Sequence, residues 1–376
     1  MAVSASSVAR IGRPWAVPAV TAAVVVAGAV ALGGLHPSDA FASQHPNLPA
    51  KTPLQLLTAA QTAQVTALSG TISEQAHWGL PALPGAAGPA SLNWQGLLTG
   101  SHTVRVSIAG PQQQRLAVLG SLSESDIVHN GKDLWTYTSY DNTVTHTTLP
   151  ARTDSKHPTP DQPGTTLTPQ GAAQQFLNAV QPSTQVSVDP TQKVAGRSAY
   201  TLVLTPKDSR STVRRVAIAL DAQHYVPLRV QLFGASSTPA FETAFTKISF
   251  ATPAPSTFTF RAPAGSKTAA DPFGFAGRGS VHPSQPGPGK PQPSVLGSGW
   301  TSVLELPAGL GLNPGPGRRG QAPSALLNSL TTPLGTSGDR VLRTAVVNAL
   351  ITKDGRIFVG AVSVPLLQSA AAGTYK

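Results

Sequence analysis

Residues 127–150 read IVHNGKDLWTYTSYDNTVTHTTLP and decide the fold class of the chain. Asn130-Gly131 is the strongest short hairpin signal in the sequence, because both turn positions tolerate a positive φ. Asp141-Asn142 indicates a second turn. Between the two turns, Trp135 and Tyr137 share one face of a strand, because side chains in a strand alternate with a period of two. The segment therefore predicts three antiparallel strands joined as a meander.

Period-two alternation continues on both sides of this segment. Val104, Val106 and Ile108 alternate with polar residues, which is typical of a strand with one buried face. The same pattern predicts strands over residues 199–205, 212–220, 228–233, 241–250 and 257–260, and in the tail over 300–306 and in a hairpin over 340–363. The chain is therefore mainly β, in sheets with one apolar face.

Three segments predict helices, over residues 53–68, 168–180 and 364–372. Thr52 is a suitable N-cap and Pro53 a suitable first residue for the first helix, which Gly70 would end. Thr168 and Pro169 have the same roles in the second. The predicted fold class is mainly β with a few helices, α+β.

The N-terminal segment has the features of an export signal. Arg10 and Arg13 precede residues 15–35, an uncharged run rich in Val and Ala that as a helix would span about 30 Å, the thickness of a bilayer core. The basic flank places the N-terminus in the cytoplasm and the remainder outside. Pro37 and the A-x-A pattern ending at Ala42 favour cleavage, whereas the length of the run favours retention. We expect an extracytoplasmic protein, either anchored by residues 15–35 or secreted after cleavage following Ala42.

The sequence predicts four parts: residues 1–42 as signal peptide or anchor, 43–265 as the main domain, 266–297 as a linker, and 298–376 as C-terminal strands. Gly and Pro are dense in the third part, which favours a flexible linker or surface excursion. The last part is small for an independent domain. We expect it to complete the sheet of the main domain, with a separate module as the alternative.

Composition and charge exclude several classes of function. The chain has no Cys, which removes disulfides, thiolate metal sites and attachment of lipid to an N-terminal Cys. The formal net charge is +11, from 27 Lys and Arg against 16 Asp and Glu, and it is spread over all parts of the chain. Nucleic-acid binding favours basic residues gathered on one face, so no nucleic-acid partner is predicted. Diffuse positive charge fits an anionic membrane surface.

The sequence gives no support to an enzyme. It lacks the G-x-S-x-G elbow, the P-loop and H-E-x-x-H. Gly315, Gly317 and Gly320 match G-x-G-x-x-G only inside a Pro-rich loop, without the strand and helix that a dinucleotide site requires. Glu124 and Asp126 are spaced for one strand face, as a catalytic pair could be. No catalytic residue, metal site or cofactor is predicted.

Apolar and aromatic residues on the strand faces are the candidate ligand-binding residues. A curved sheet that leaves part of such a face uncovered would form a cleft for acyl chains. The alternative is an ordinary hydrophobic core between sheet and helices. The candidates are Trp135, Tyr137, Tyr200, Leu202, Phe245, Phe258 and Phe260.

Four phrases of the sequence, in this order, resemble the outer-membrane lipoprotein carrier (LolA-like) superfamily. They are the hairpin from Asn130 to Tyr137, the run from Val194 to Lys207, the segment from Asp221 to Val230, and the closing residues Phe258 to Gly265. The whole chain resembles the membrane-tethered branch from high-G+C Gram-positive bacteria, whose C-terminal hairpin is similar to residues 350–364.

The resemblance implies an incomplete, strongly curved antiparallel β-barrel with helices over its open side and an apolar cavity for acyl chains. It implies a non-enzymatic, extracytoplasmic, membrane-associated protein that binds lipid or an acylated lipoprotein. The same fold occurs in regulators of the sigma-E envelope-stress response, so a sensor with a membrane-protein partner is the alternative. An envelope hydrolase is a third hypothesis.

Overall fold

The computed structural model describes residues 46–80, 100–120, 123–149, 177–269, 292–308 and 330–375. The N-terminal run over 15–35, the A-x-A pattern, most of the helix predicted over 168–180 and most of the linker lie outside these residues. Residues 177–180, the end of that predicted helix, are helical. Within the described ranges, no helix is both long enough and apolar enough to cross a membrane.

In the described part of the chain, twelve strands form the main sheet. They are β1 (Ala67–Ala76), β2 (Gly100–Ala109), β3 (Gln113–Leu119), β4 (Glu124–Asn130), β5 (Asp133–Thr138), β6 (Thr143–Thr148), β7 (Thr184–Val194), β8 (Arg197–Pro206), β9 (Arg215–Asp221), β10 (Pro227–Phe233), β11 (Phe241–Ser249) and β12 (Lys267–Thr268). Their order is β12-β6-β5-β4-β3-β2-β1-β11-β10-β9-β8-β7. All neighbours are antiparallel except β12, which runs parallel to β6. The predicted mainly β fold with a large curved sheet that does not close is confirmed.

The predicted meander over residues 127–150 is confirmed as β4, β5 and β6. Its first turn lies one residue later than the sequence indicated: Asn130 pairs with Asp133 as the last pair of the ladder, so Gly131 and Lys132 are the central turn residues. Gly131 has a φ of 64°, a conformation that costs glycine little. The second turn is longer, spanning residues 139–142.

Helix α1 (Pro53–Thr62) begins as predicted and ends earlier. Thr52 and Gln55 form a capping box, in which each side chain bonds the backbone N–H of the other residue. The predicted continuation to residue 68 is wrong, because residues from Ala67 onward pair with β2 and β11 instead. Gly70 lies inside β1 rather than ending the helix.

Close packing explains the glycine at position 70. A Cβ at Gly70 would lie 2.6 Å from the carbonyl oxygen of Lys247 and 2.7 Å from the ring of Phe245, and real Cβ atoms do not come so close to their neighbours. A glycine inside a strand often indicates such a close approach.

The strand predicted over residues 257–260 is wrong. Pro255–Phe258 forms a 3₁₀ turn, in which Thr257 N–H donates to the carbonyl of Ala254 at 2.9 Å. Pro255 favours this turn because its φ is fixed and it has no N–H to give to a ladder. Phe258 and Phe260 therefore do not share a strand face.

The C-terminal strands form a second sheet instead of completing the first. The six strands are β13 (Ser294–Leu296), β14 (Val303–Leu306), β15 (Thr332–Pro333), β16 (Arg340–Arg343), β17 (Asn348–Ile351) and β18 (Ile357–Gly360), in the order β13-β14-β18-β17-β16-β15. Gly299–Thr301 is a 3₁₀ turn before β14, so the strand predicted from residue 300 begins at 303. Helix α2 (Val364–Ala371) packs behind this sheet and confirms the predicted C-terminal helix.

The two edges of the main sheet explain why the second sheet is separate. At the edge of β6, the two residues of β12 pair with Thr143 and Val144 at the start of the strand. The edge at β7 is interrupted by a bulge between Asp189 and Gln192 that contains Pro190, and proline cannot donate to a ladder. The second sheet, with β13–β18 and α2, is called the C-terminal unit below. Within the described residues it contacts the main sheet and the segment after β1 through a bridge between Ser211 and Val362, through a hydrogen bond from the N–H of Ala345 to the carbonyl of Trp78 at 2.7 Å, and through side chains.

Replacing Gly70 with Ala is expected to destabilise the fold. The added methyl group would push β1 away from Phe245 and from the backbone of β11, an overpacking cost of about 1–3 kcal/mol. Chemical denaturation monitored by circular dichroism measures it. Ser73→Ala on the same strand is the control, and equal losses for both variants would contradict the close-approach explanation.

Candidate ligand-binding face

One face of the main sheet carries a continuous row of directly opposed side chains across seven strands. Antiparallel register places each member opposite the next, and directly opposed residues share a face. The row begins with aliphatic side chains and ends with polar ones. Its members are Val188, Leu202, Ile218, Val230, Thr243, Glu74 and His102. We call the side of the sheet that carries this row the apolar face.

Two elements cover parts of the apolar face. Leu56 of α1 is fully buried against Tyr200 and Leu220, so the first helix lies over β8 and β9. Trp300 of the C-terminal unit packs in one cluster with Val230 and other residues of this face. A helix and a second sheet therefore flank the row from two directions.

Glu74 is the unusual member of the row. Its residue surface is only 2% exposed, and its Oε2 has no hydrogen-bond partner among the described residues. Burial raises the pKa of the Glu74 carboxyl from its ordinary 4.5 to about 7, because removal from water penalises the charged form. A buried polar atom without a partner costs free energy, so this carboxyl is poorly suited to a sealed apolar core.

A second unpaired polar atom lies two residues after the end of β1, in Trp78. The indole Nε1 of Trp78 is buried and has no hydrogen-bond partner in the described part of the chain. Its ring stacks on Phe241 with centroids 5.7 Å apart, and Phe241 pairs with Ala76 two residues beyond Glu74 on β1. The apolar face thus holds a carboxyl oxygen and an indole N–H that nothing in these residues satisfies.

The structure divides the seven candidate residues between several places. Tyr200 and Leu202 lie on β8, Tyr200 under α1 with its hydroxyl donating to the carbonyl of Pro49 at 3.0 Å. Leu202 is a member of the row itself. Phe245 pairs with Ile72 beside a bulge in β11 and packs against the cluster around Leu228.

The other four candidates form an aromatic group elsewhere. Trp135 lies in a row that register carries through Val128, Arg115 and Ser107 to Ser69. Since side chains alternate along β1, that row is on the opposite side of the sheet from Glu74. The group, which we call the aromatic cluster, is built by stacking of Phe260 on Trp135 at 5.3 Å, with Tyr137 at 6.3 Å from Phe260 and with the buried Phe258 in the adjoining 3₁₀ turn.

An ion pair holds the segment of the aromatic cluster in place. Arg115 donates to both carboxylate oxygens of Asp126, at 3.1 and 2.6 Å, and to the carbonyl of Thr257 at 3.2 Å. Burial raises the pKa of Asp126, although the bond from Arg115 acts in the opposite direction. Asp126 therefore has a structural role, as the partner of Arg115. Glu124 is the first residue of β4 and is not part of this ion pair. The described residues contain no group of three His, Cys, Asp or Glu side chains arranged to hold a metal ion.

Sequence reasoning missed Glu74, although a signal was present. Ile72, Glu74 and Ala76 alternate on one side of β1, so the acid has the parity of the apolar residues. A helix predicted as far as residue 68 overlaps the start of this strand and conceals the alternation.

Comparison with known proteins finds likeness at the level of structure alone. No family model matches the chain, and a search of curated proteins found no match. The chain is similar to a solved Pseudomonas aeruginosa MucA/MucB complex, with 14% identity, a TM-score of 0.40, and coverage of 85% of this chain and 95% of that one. An uncharacterized conserved protein of Thermus thermophilus gives 10% identity, a TM-score of 0.32, and coverage of 57% and 96%. A LolA superfamily protein of Nitrosomonas europaea gives 11% identity, a TM-score of 0.21, and coverage of 56% and 99%.

The raised pKa of Glu74 predicts a pH-dependent stability. Between about pH 4.5 and 7 the folded chain keeps a proton on Glu74 that the unfolded chain has released, so the free energy of unfolding falls as pH rises through this window. This difference between the folded and unfolded pKa values corresponds to at most roughly 3 kcal/mol. When denaturation is measured at pH 4.5 and at pH 8, the free energy of unfolding should fall less in Glu74→Gln than in the unaltered chain. Glu124→Gln is the control, and an unchanged pH slope in Glu74→Gln would contradict the assignment.

Proposed function

We propose that this protein is an extracytoplasmic, membrane-associated binding protein that takes up a lipid, or the acyl chains of a lipoprotein, on the apolar face, without catalysis. The observation that carries the proposal is the buried Glu74 carboxyl, which has an unpaired Oε2 and lies between Thr243 and His102 at the polar end of a row that begins with aliphatic side chains. An acyl chain would take the place of α1 over the aliphatic part of the row, where Leu56 now packs in one cluster with Val188 and Ile218. A polar atom at the head of the ligand would meet Glu74.

The chemistry of Glu74 fits such a ligand. With a pKa of about 7 the carboxyl is largely protonated in mildly acidic surroundings, so its O–H can donate to an ester carbonyl or a hydroxyl. The indole N–H of Trp78 is a second donor that lacks a partner among the described residues. Ligand sites commonly combine an apolar lining with a few polar groups that fix orientation.

The predicted site residues enter the proposal by position. Leu202 and Tyr200 lie on the apolar face and Phe245 beside it. Leu202 and Tyr200 are 2% and 3% exposed, with Tyr200 under α1, so they would contact the ligand after α1 moves off the sheet. The aromatic cluster of Trp135, Tyr137, Phe258 and Phe260 lies across the sheet from Glu74 and would serve as a second apolar surface. The membrane association is proposed from the sequence of residues 15–35, with release after Ala42 as the alternative.

The test measures lipid on the full-length chain isolated from a bacterial envelope in mild detergent. Native mass spectrometry with solvent extraction should find bound lipid near one per chain. Glu74→Gln keeps a donor and an acceptor and should retain the lipid. Glu74→Leu removes both and should weaken the affinity for the lipid about tenfold, the effect of losing one hydrogen bond of roughly 1.4 kcal/mol, which a lipid titration followed by the same mass spectrometry measures.

Two outcomes would contradict the proposal. A chain that remains empty after incubation with lipids and acylated peptides would mean that the apolar face is only core. Equal occupancy in the Leu and Gln variants would mean that Glu74 does not meet the ligand. Circular dichroism on both variants guards against loss of fold.

A sensor is the second candidate function, and the shared cluster around Trp300 favours it. Val216 and Val230 of the main sheet pack in one cluster with Trp300, Val346 and Ala361 of the C-terminal unit. A ligand on the apolar face would therefore change the packing between the two sheets. The altered packing would change the surface that a membrane-protein partner recognises. Cross-linking in intact envelopes should then capture one dedicated partner, with a yield that changes when lipid is added. A capture pattern that does not respond to lipid would contradict the sensor.

A further inference from the structure

A polar cleft lies where the C-terminal unit meets the ends of β7 and β8. Its volume is about 400 Å³, and its lining includes Ser183, Lys207, Arg210, Ser298, Trp300 and Tyr375. The first three lie in loops of the main sheet, just before β7 and between β8 and β9, and the last three belong to the C-terminal unit. Its size lies within the usual range of about 300–1,000 Å³ for small-molecule sites.

Tertiary contacts fix the walls of the cleft. Trp300 donates from Nε1 to the hydroxyl of Thr184 at 2.7 Å, which joins the two sheets at the floor. The Tyr375 hydroxyl donates to the carbonyl of Thr301, which holds the C-terminal residues against the same wall.

Two glycines permit the close approach of these walls. A Cβ at Gly297 would lie 2.8 Å from the ring of Tyr375, and one at Gly299 would lie 2.9 Å from Cβ of Ser183. Both have a positive φ, of 74° and 63°, which L side chains rarely adopt. The cleft is therefore a built feature of the contact between the two sheets.

The charge of the cleft is positive. Lys207 is exposed at the lining and donates from Nζ to the carbonyl of Gln181 at 2.5 Å, and no ion pair to it is found among the described residues. Arg210 is held by both carboxylate oxygens of Asp208, at 3.1 and 2.8 Å, and this bond lowers the pKa of Asp208. The charged residues of the lining are Lys207, Arg210 and Asp208, which sum to a formal charge of +1, so the local field attracts anions.

We propose that this cleft binds a phosphate-bearing group, either on a free phosphate ester or on the headgroup of an anionic phospholipid. Lys207 would supply the point charge that phosphate oxygens favour. Arg210, oriented by Asp208, would face the ligand from the same loop, and the hydroxyl of Ser298 would approach from the C-terminal unit. The ligand would bridge the two sheets at a cleft that shares Trp300 with the cover of the apolar face but includes no residue of the row, so the proposal does not depend on the function proposed there.

Two arms of one experiment distinguish the sources of phosphate. Calorimetric titration of the full-length chain with glycerol 3-phosphate measures the free ester. Co-sedimentation with phosphatidylglycerol vesicles, against phosphatidylcholine vesicles, measures the headgroup. Lys207→Gln should weaken binding about tenfold in whichever arm binds, the cost of one charge-assisted hydrogen bond. Lys353→Gln, an exposed lysine on the turn between β17 and β18, is the matched control and should bind as the unaltered chain does.

The outcomes are decisive in each direction. Binding of the ester alone, or of phosphatidylglycerol vesicles, with selective loss in Lys207→Gln supports the site and identifies its source. Failure to bind in both arms would overturn the proposal. Equal weakening in Lys207→Gln and Lys353→Gln would also overturn it, since it would show attraction by net charge rather than by the cleft. Repeating the binding measurement on the unaltered chain at increasing salt concentration gives the electrostatic part of the binding free energy.

Discussion

The antiparallel pairing of β1 with both β2 and β11 is the constraint on which the main sheet depends. β2 begins 24 residues after β1 ends, whereas β11 begins at residue 241, so β1 is the strand at which a local meander and a distant set of strands become one sheet. Gly70 lets the backbone of β11 approach closely. Without this pairing, β2–β6 and β7–β11 would be two smaller sheets, each with one more exposed edge, at β2 and at β11.

The same pairing places Glu74 near the middle of the twelve strands. Register through β11, β10, β9 and β8 aligns it with Val230, Ile218 and Leu202, and register through β2 sets it opposite His102. A surface strand with this sequence would leave the acid in water with an ordinary pKa. The unusual protonation of Glu74 is therefore a property of the assembled sheet, because burial arises only when the distant strands lie beside β1.

The two sides of the sheet have different means of stabilisation. On the apolar face, α1 and the C-terminal unit bury aliphatic side chains through Leu56 and Trp300. On the opposite side, a bidentate pair between Arg115 and Asp126 holds the segment that brings Phe260 onto Trp135. Apolar burial is nondirectional and can adjust to a ligand, whereas the paired charges fix one geometry. This difference favours the apolar face as the ligand site, because contacts within the protein can be replaced there by contacts with a ligand.

The sequence by itself determined the mainly β class, the meander of β4–β6, the start of α1 at Thr52 and Pro53, and the C-terminal helix. These features follow from turn chemistry, capping and a period of two, which act between residues close together in the chain. Only the tertiary structure decided that the C-terminal strands form their own sheet, that residues 255–258 turn instead of extending, and that Trp135 and Leu202 lie on opposite sides. Alternation shows which residues share a face of one strand, but the relation between faces of different strands depends on register across the sheet. Alternation along β1 gives Glu74 the parity of Ile72 and Ala76, but the burial of its carboxyl and the cleft around Lys207 both arise from contacts between segments that are far apart in sequence.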